Sequence, residues 1–276
     1  MAVIDTFAAG LALKDQGEGR YLRPGEEGAS GFVFAGMLTS LMITGATQAT
    51  PDKELRSIDA LFLRAVRSPD DAEIVVTPLH LGGQLSAVAV AIEQDGRTCG
   101  HAQVVLGPRA ADLVEHDAPM PGVAGPDESP AAYTNHPGDS RVVDGVELGP
   151  ADQALPPVMS VWRRAPGLAE LGVSPEALLA FDASAYLTGA ALLPHDGFGL
   201  SMAHKSFTAA ITASHMVFHR PIDLDDWVLV HNESTYAGQG WAHGRGTVYD
   251  RAGRQLVSFG LEGMVRAMPT DRAVKL

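Results

Sequence analysis

The chain has very little cysteine, since Cys99 is the single one among 276 residues. One cysteine excludes an internal disulfide framework and a metal cluster built on several thiolates. No His-x-x-x-His spacing lies on a predicted helix. The sequence also lacks a Gly-rich phosphate loop and a Gly-x-Ser-x-Gly elbow. These absences argue against a metal site, a P-loop enzyme and a serine hydrolase of the α/β type. We therefore predict a protein with no metal and no other cofactor.

Long apolar runs and positive charge are scarce as well. No stretch of about 18 apolar residues occurs, so we expect no membrane span. The first residues lack the basic start of a signal peptide. Lys and Arg number 20 against 33 Asp and Glu, which gives a formal net charge of −13 and disfavours nonspecific binding to nucleic acid or anionic lipid. A cytoplasmic protein is the simplest interpretation.

What the chain does contain is an internal repeat. Residues 58–65 form an apolar pattern that ends in Phe-x-Arg, and residues 214–221 do the same, so that Phe62 matches Phe218. An acidic turn, an alternating strand, a turn with Asp and Gly and a final apolar strand follow in both copies. Self-similarity over so long a period indicates two copies of one small domain.

Each copy also includes a helix that is almost free of charge. Residues 32–48 have apolar groups at helical spacing and no charged side chain. Residues 175–193 have only Glu176 and Asp182. Because a helix without a polar face is buried on all sides, we predict an α+β fold in which two antiparallel sheets each wrap around a central buried helix.

Composition sets the predicted domain boundaries. Pro, Asp, Glu and Gly dominate between Pro108 and Pro157, as expected for an exposed connection that adds, at most, an edge strand near its end. We predict an N-terminal domain at residues 1–112, a linker at residues 113–150 and a C-terminal domain at residues 151–276.

Six short motifs are spread over most of the chain. They are Val33-Phe34-Ala35-Gly36, Leu61-Phe62-Leu63-Arg64, Val161-Trp162-Arg163-Arg164-Ala165, Leu192-Leu193-Pro194-His195, Phe218-His219-Arg220-Pro221 and Glu262-Gly263-Met264-Val265-Arg266. Together they resemble the type II acyl-CoA thioesterase family, whose members fold as two tandem hotdog domains. The resemblance implies a tandem double hotdog that handles acyl thioesters.

The catalytic groups of that family are matched only in part. In the family, an Asp on the second helix, a Thr or Ser on the next strand and a Gln just before Glu-Gly-x-x-Arg activate a water that attacks the thioester. The resemblance puts Ser184 at the Asp position and Leu261 at the Gln position. Ile211 occupies the hydroxyl position, unless a one-residue deletion brings Thr212 into register.

Asp182 is the remaining candidate for a base. It precedes Ser184 by two positions, about 200° around a helix, so it serves only if the helix register differs from that of the family. The alternative is a carboxylate satisfied by a neighbouring loop, because burying an unpaired acid is costly. We predict a catalytic set drawn from Asp182, Ser184 and Thr212.

Four further residues are predicted to bind substrate, namely Phe34, Gly36, His215 and Leu261. Backbone amides near Gly36 are candidates to hold the thioester oxygen. His215 either forms a base dyad with Asp182 or is an ordinary histidine. Strand alternation puts Thr212 and His215 on opposite faces, and either face could meet the buried helix.

Three functions remain open at this point. The first is hydrolysis of acyl thioesters by a rearranged catalytic set. The second is binding of an acyl group or another apolar small molecule without hydrolysis, and the third is a lyase or cyclase reaction. The expected partner is an acyl-CoA or acyl-carrier thioester, and a homodimer is plausible because hotdog sheets pair edge to edge.

Overall fold

The computed structural model describes residues 3–29, 31–131, 136–146 and 154–268. The α-helices within these ranges are α1 (Val3–Gly10), α2 (Ala35–Ala49) and α3 (Pro175–Leu192). The strands of the first copy are β1 (Lys14–Gly17), β2 (Arg20–Arg23), β3 (Leu55–Phe62), β4 (Ala72–Leu81), β5 (Ser86–Gln94) and β6 (Arg97–Leu106). Those of the second copy are β7 (Asp139–Val142), β8 (Val158–Arg164), β9 (Phe207–Phe218), β10 (Val228–Gly238), β11 (Trp241–Asp250) and β12 (Gln255–Ala267).

The described strands form one antiparallel sheet of twelve strands. Their order is β1-β2-β4-β5-β6-β3-β9-β12-β11-β10-β8-β7. The first six belong to the first copy and the last six to the second, so each copy supplies one half of the sheet. The two predicted sheets are therefore joined edge to edge through β3 and β9.

A local two-fold axis relates the two halves at this junction. Asp59 lies three residues before Phe62, and His215 lies three residues before Phe218, so the two occupy the same position in the repeat. They also face each other across β3 and β9. The axis that exchanges the copies thus passes through the Asp59–His215 pair, and matching positions can be read outward from it strand by strand.

Helices α2 and α3 lie side by side on one face of the sheet, which we call the inner face. Most of their residues are buried, as expected for helices that lack a charged face. The side chain of Ser174 caps α3 by accepting a hydrogen bond from the Ala177 amide, and Pro175 occupies the first helical position. None of the described helices combines the length and apolar character needed to cross a bilayer.

The opposite face, here the outer face, is partly covered in the second half by the predicted linker. Trp162 donates its indole N–H to the carbonyl of Ala124 at 2.9 Å, and Tyr249 donates its hydroxyl to the carbonyl of Pro119 at 3.2 Å. Strand β7 at the end of the linker pairs with β8 as the edge of the sheet. The sequence-based domain boundaries remain a prediction.

Candidate active site

The N-terminus of α2 touches the middle of α3. A Cβ atom on Gly36 would lie 2.9 Å from the Cα atom of Phe181 and 2.8 Å from its carbonyl oxygen, so only glycine allows the helices to come this close. The ring of Phe34 meets the ring of Phe181 edge to face, with centroids 5.3 Å apart. Phe34 and Gly36 are therefore brought against the segment of α3 that carries Asp182.

Asp182 is fully buried and ion-paired. Its Oδ2 atom accepts a hydrogen bond of 2.8 Å from Nε of Arg163, which is also buried. Burial is the largest single influence on the pKa of the Arg163 guanidinium and lowers it, but Asp182, Tyr186 and Asp139 together more than offset burial, so the pKa is raised. The carboxylate that the sequence singles out thus has a charged partner from β8.

Arg163 also ties the end of the predicted linker to the helix. Its guanidinium donates to the carbonyl of Asp139 at 2.8 Å and to the carbonyl of Pro137. Next to them, Nδ1 of His136 lies 3.2 Å from Oδ1 of Asp182. Asp182, Arg163 and this segment form one buried polar cluster beside α3.

His136 is an uncharged member of this cluster at neutral pH. Its ring stacks on Tyr186, with centroids 5.7 Å apart. Burial lowers the pKa of its imidazole to about 4, although the nearby Asp182 carboxylate acts in the opposite direction. Burial dominates because the ring sits among α3, β8 and the linker.

A second group of predicted residues lies between α3 and the inner face. Ser184 precedes Leu187 by three residues and so shares its helix face, and Leu187 fills the space above Gly244 of β11. Leu261 of β12 pairs with Gly244 on one side and with Ser214 of β9 on the other. Ser184 and Leu261 are both buried in this layer, and the Ser184 hydroxyl donates to the carbonyl of Ala180 at 3.1 Å.

Two hydroxyl groups of β9 are buried without a partner among the described residues. Thr212 lies at the bulge where β9 and β12 change register, and Ser214 lies two residues further along β9. Their hydroxyl oxygens are buried and make no hydrogen bond to any described residue. Because a buried hydroxyl without a partner is unfavourable, both oxygens are suited to a ligand or to water.

His215 lies on the outer face, away from Asp182. Its Nδ1 atom is 2.6 Å from Oδ1 of Asp59, and both side chains are more than half exposed. The pair lines an open groove of about 470 Å³ at the junction of the halves, together with His101, Gln103, His243 and Glu262. This groove is open to solvent, and apolar as well as polar and charged side chains line it, whereas the layer between α3 and the inner face is closed and mostly apolar.

The structure thus separates the predicted residues. Phe34, Gly36 and Asp182 lie where α2 meets α3, and Ser184 and Leu261 are buried between α3 and the sheet. Thr212 lies at the bulge of β9 with a buried hydroxyl, and His215 lies on the outer face. Within the described ranges, no three His, Cys, Asp or Glu side chains come together as a metal would require.

Sequence reasoning missed three polar residues in these places. Arg163 could have been found, because alternation along β8 puts it on the same face as the core residue Val161. His136 lies in an irregular segment and carries no such signal. Ser214 shares a strand with His215, and alternation alone does not show which of the two faces the helix.

The class of protein follows from this architecture. Two antiparallel half-sheets, each packed on a buried helix and joined edge to edge, define a tandem double hotdog. The predicted α+β fold is therefore confirmed.

Comparison with family models identifies the family. Residues 23–107 match the acyl-CoA thioesterase N-terminal domain, and residues 113–263 match the acyl-CoA thioesterase C-terminal domain. The two matches span most of the chain, which therefore belongs to the acyl-CoA thioesterase family.

Individual relatives agree with this assignment. The chain is 26% identical over 274 residues to acyl-coenzyme A thioesterase 8 of Mus musculus, covering 88% of this chain and 83% of that protein. It is 25% identical over 279 residues to acyl-CoA thioesterase 2 of Haemophilus influenzae, covering 88% and 91%. The crystal structure of an acyl-CoA thioesterase II, TesB2, from Mycobacterium marinum has a TM-score of 0.75 at 22% identity, covering 96% of this chain and 99% of that one.

The buried ion pair leads to a first prediction. Replacing Asp182→Asn leaves the Arg163 guanidinium buried without an opposite charge, so we expect the free energy of unfolding to fall by about 3 kcal/mol or more. Urea unfolding monitored by tryptophan fluorescence measures the loss. Asp139→Asn is the matched control, since its exposed carboxylate pairs with Arg164, and it should lose less than about 1 kcal/mol. Equal losses in the two variants would contradict this role of the buried pair.

His136 leads to a second prediction, about pH. Its folded-state pKa of about 4 lies below the ordinary value of 6.5, so between these values the unfolded chain binds more protons. The contribution of His136 is complete above pH 6.5, decreases as the pH falls to about 4 and then stays constant, a loss of about 3 kcal/mol.

The difference between the wild type and His136→Gln isolates this effect from the other acidic groups. Unfolding by urea at a series of pH values should give curves of stability against pH that converge as the pH falls from 6.5 to 4. Parallel curves for the two proteins would show that His136 titrates normally.

Proposed function

We propose that the protein hydrolyses acyl thioesters of coenzyme A at the layer between α3 and the inner face of the second half. The observation that carries the proposal is the pair of buried, unpartnered hydroxyls of Thr212 and Ser214. Ser214 pairs with Leu261 across β9 and β12, and the family resemblance puts Leu261 and Ser184 at positions whose groups activate the water that attacks the thioester. Family membership and the names of the relatives support the substrate class.

The reaction needs a bound water, a group that accepts its proton and donors for the oxygen of the thioester carbonyl. In our proposal Thr212 binds the water or the carbonyl oxygen with its free hydroxyl. The first backbone amides of α2, near Gly36, stabilise the negative charge that develops on the oxygen. Water attacks the carbonyl carbon, the carbon–sulfur bond breaks, and the products are a carboxylic acid and free coenzyme A thiol.

Asp182 remains our predicted proton acceptor, although the structure places it in the buried cluster with Arg163 of β8 and not in the group that contains Thr212. The hydrogen bond from Arg163 occupies its Oδ2 atom. Asp182→Asn separates the two roles when activity is expressed per folded protein. A base predicts that turnover is lost in folded protein, whereas a purely positioning role predicts a loss of stability with turnover retained.

A second candidate function is binding of an acyl thioester without hydrolysis. It is supported by the chemistry of Ser184 and Leu261, because the resemblance puts a serine bonded to its own helix and a leucine at the positions of the family's carboxylate and amide. In that case the layer would hold an acyl group without activating water. A cytoplasmic location, acyl carrier protein as an alternative carrier and assembly into a homodimer remain predictions.

The hydrolytic proposal predicts release of free thiol from a panel of acyl-CoAs of different chain lengths. Thr212→Val removes only the free hydroxyl, so turnover should fall by about 100-fold while the melting temperature stays the same or rises. Thr77→Val, which alters an exposed threonine of the first copy, is the control and should leave turnover unchanged.

Two results would overturn parts of this proposal. Full turnover in Thr212→Val would remove Thr212 from the mechanism. Tight binding of acyl-CoA by calorimetry, with no thiol release by the wild type, would favour the non-hydrolytic candidate.

A further inference from the structure

The two copies differ sharply at matching positions on the inner face. Outward from the axis, one row of the first copy runs Ala60–Ala102–Val90–Val76, and its counterpart in the second copy runs Met216–Phe259–Gly246–Asn232. The neighbouring rows match Ile58 with Ser214 and Val88 with Gly244 in the same way. The first copy is apolar throughout these positions, whereas the second has glycine at 244 and 246 and polar side chains at Ser214 and Asn232.

Packing accounts for the glycines of the second copy. A Cβ atom on Gly244 would collide with the Leu187 side chain of α3, and one on Gly246 would collide with the ring of Phe259. The two glycines therefore leave room for the side chains of Leu187 and Phe259. The same explanation does not extend to Ser214 and Asn232, whose polar atoms no neighbouring side chain uses.

Asn232 is the most unusual of these residues. It is 1% exposed, and neither its amide nitrogen nor its amide oxygen has a hydrogen-bond partner among the described residues. Val76 is buried at the matching position of the first copy, and its side chain has no polar atom. An amide has two donors and one acceptor, so leaving all of them unused in the interior is strongly unfavourable.

The position of Asn232 indicates which part of a ligand it would meet. Helix α3 packs over β10 and β11, and Asn232 faces α3 from β10. Three strand spacings separate β10 from β9, which carries Thr212 and Ser214, a distance of about 14 Å across the sheet. An acyl chain whose thioester carbonyl lies at Thr212 would thus have to span most of this distance to reach the Asn232 amide.

We propose that the second copy binds an acyl chain that carries a hydroxyl or oxo group remote from its thioester, and that the Asn232 amide recognises that oxygen. This inference rests on the proposed function, since the thioester is taken to lie near Thr212. The side chains of Leu187 and Phe259 lie over Gly244 and Gly246 in the space between, so entry of the chain requires both side chains to move. A plain fatty chain would leave the amide unpaired and therefore bind less well.

The test uses non-hydrolysable twelve-carbon acyl-CoA analogues with no hydroxyl, a hydroxyl near the carbonyl or a hydroxyl at the far end. Calorimetry should show that the wild type binds the analogue with the remote hydroxyl about tenfold more tightly than the unsubstituted one. Asn232→Val, which installs the residue of the first copy, should abolish this preference. Asn232→Thr, which has the shape of valine but keeps an oxygen, should retain part of it.

Each outcome bears on the inference. A preference unchanged by Asn232→Val would overturn it, as would a valine variant that gains stability without any change in the binding ratio, the behaviour of an amide that only holds an internal water. If all analogues bind equally, this inference fails and the proposed function stands. If none binds, both fail. Melting temperatures of the two variants confirm that they are folded.

Discussion

The structure depends on the antiparallel pairing of β3 with β9. Each half-sheet alone would leave an unpaired edge of backbone N–H and C=O groups, and pairing the two edges satisfies both. The same pairing sets α2 and α3 side by side, close enough that Gly36 lies against the backbone of Phe181. The candidate site therefore exists only because the two copies are joined, with the start of one helix meeting the middle of the other.

Duplication leaves each copy free to specialise. The first copy keeps a helix without charge, and its buried Arg23 lies at the position that matches Arg163. The second copy contains the buried ion pair of Asp182 and Arg163, together with hydroxyls of Thr212 and Ser214 and an amide of Asn232 that make no hydrogen bond to any described residue. Because polar groups in an interior reduce stability unless they are paired or occupied, these three side chains support our proposal that the second copy binds the ligand.

Much of the fold could be predicted from the sequence, because local pattern and repetition determine it. The scarcity of charged residues in segments 32–48 and 175–193 predicted two buried helices, and the Phe-x-Arg repeat predicted the duplication. In the structure, β3 pairs with β9, and this pairing joins the two predicted sheets into one.

The site was harder to predict, because it depends on contacts between distant elements. The partner of Asp182 comes from β8, and a carboxylate in a helix does not reveal which strand faces it. His215 could have faced either way, since alternation fixes which residues share a face but not which face meets a helix. In the structure, His215 lies on the outer face beside Asp59, and Ser214 lies on the inner face. The roles of Asp182, Ser184 and Thr212 in catalysis stay predictions.

A crystal structure with a non-hydrolysable acyl-CoA analogue tests the central claim most directly. The account predicts that the carbonyl oxygen of the analogue lies within hydrogen-bond distance of the Thr212 or Ser214 hydroxyl, with the acyl chain between α3 and the inner face of the second half. An analogue bound instead in the outer groove beside Asp59 and His215, with the layer under α3 unchanged, would contradict it.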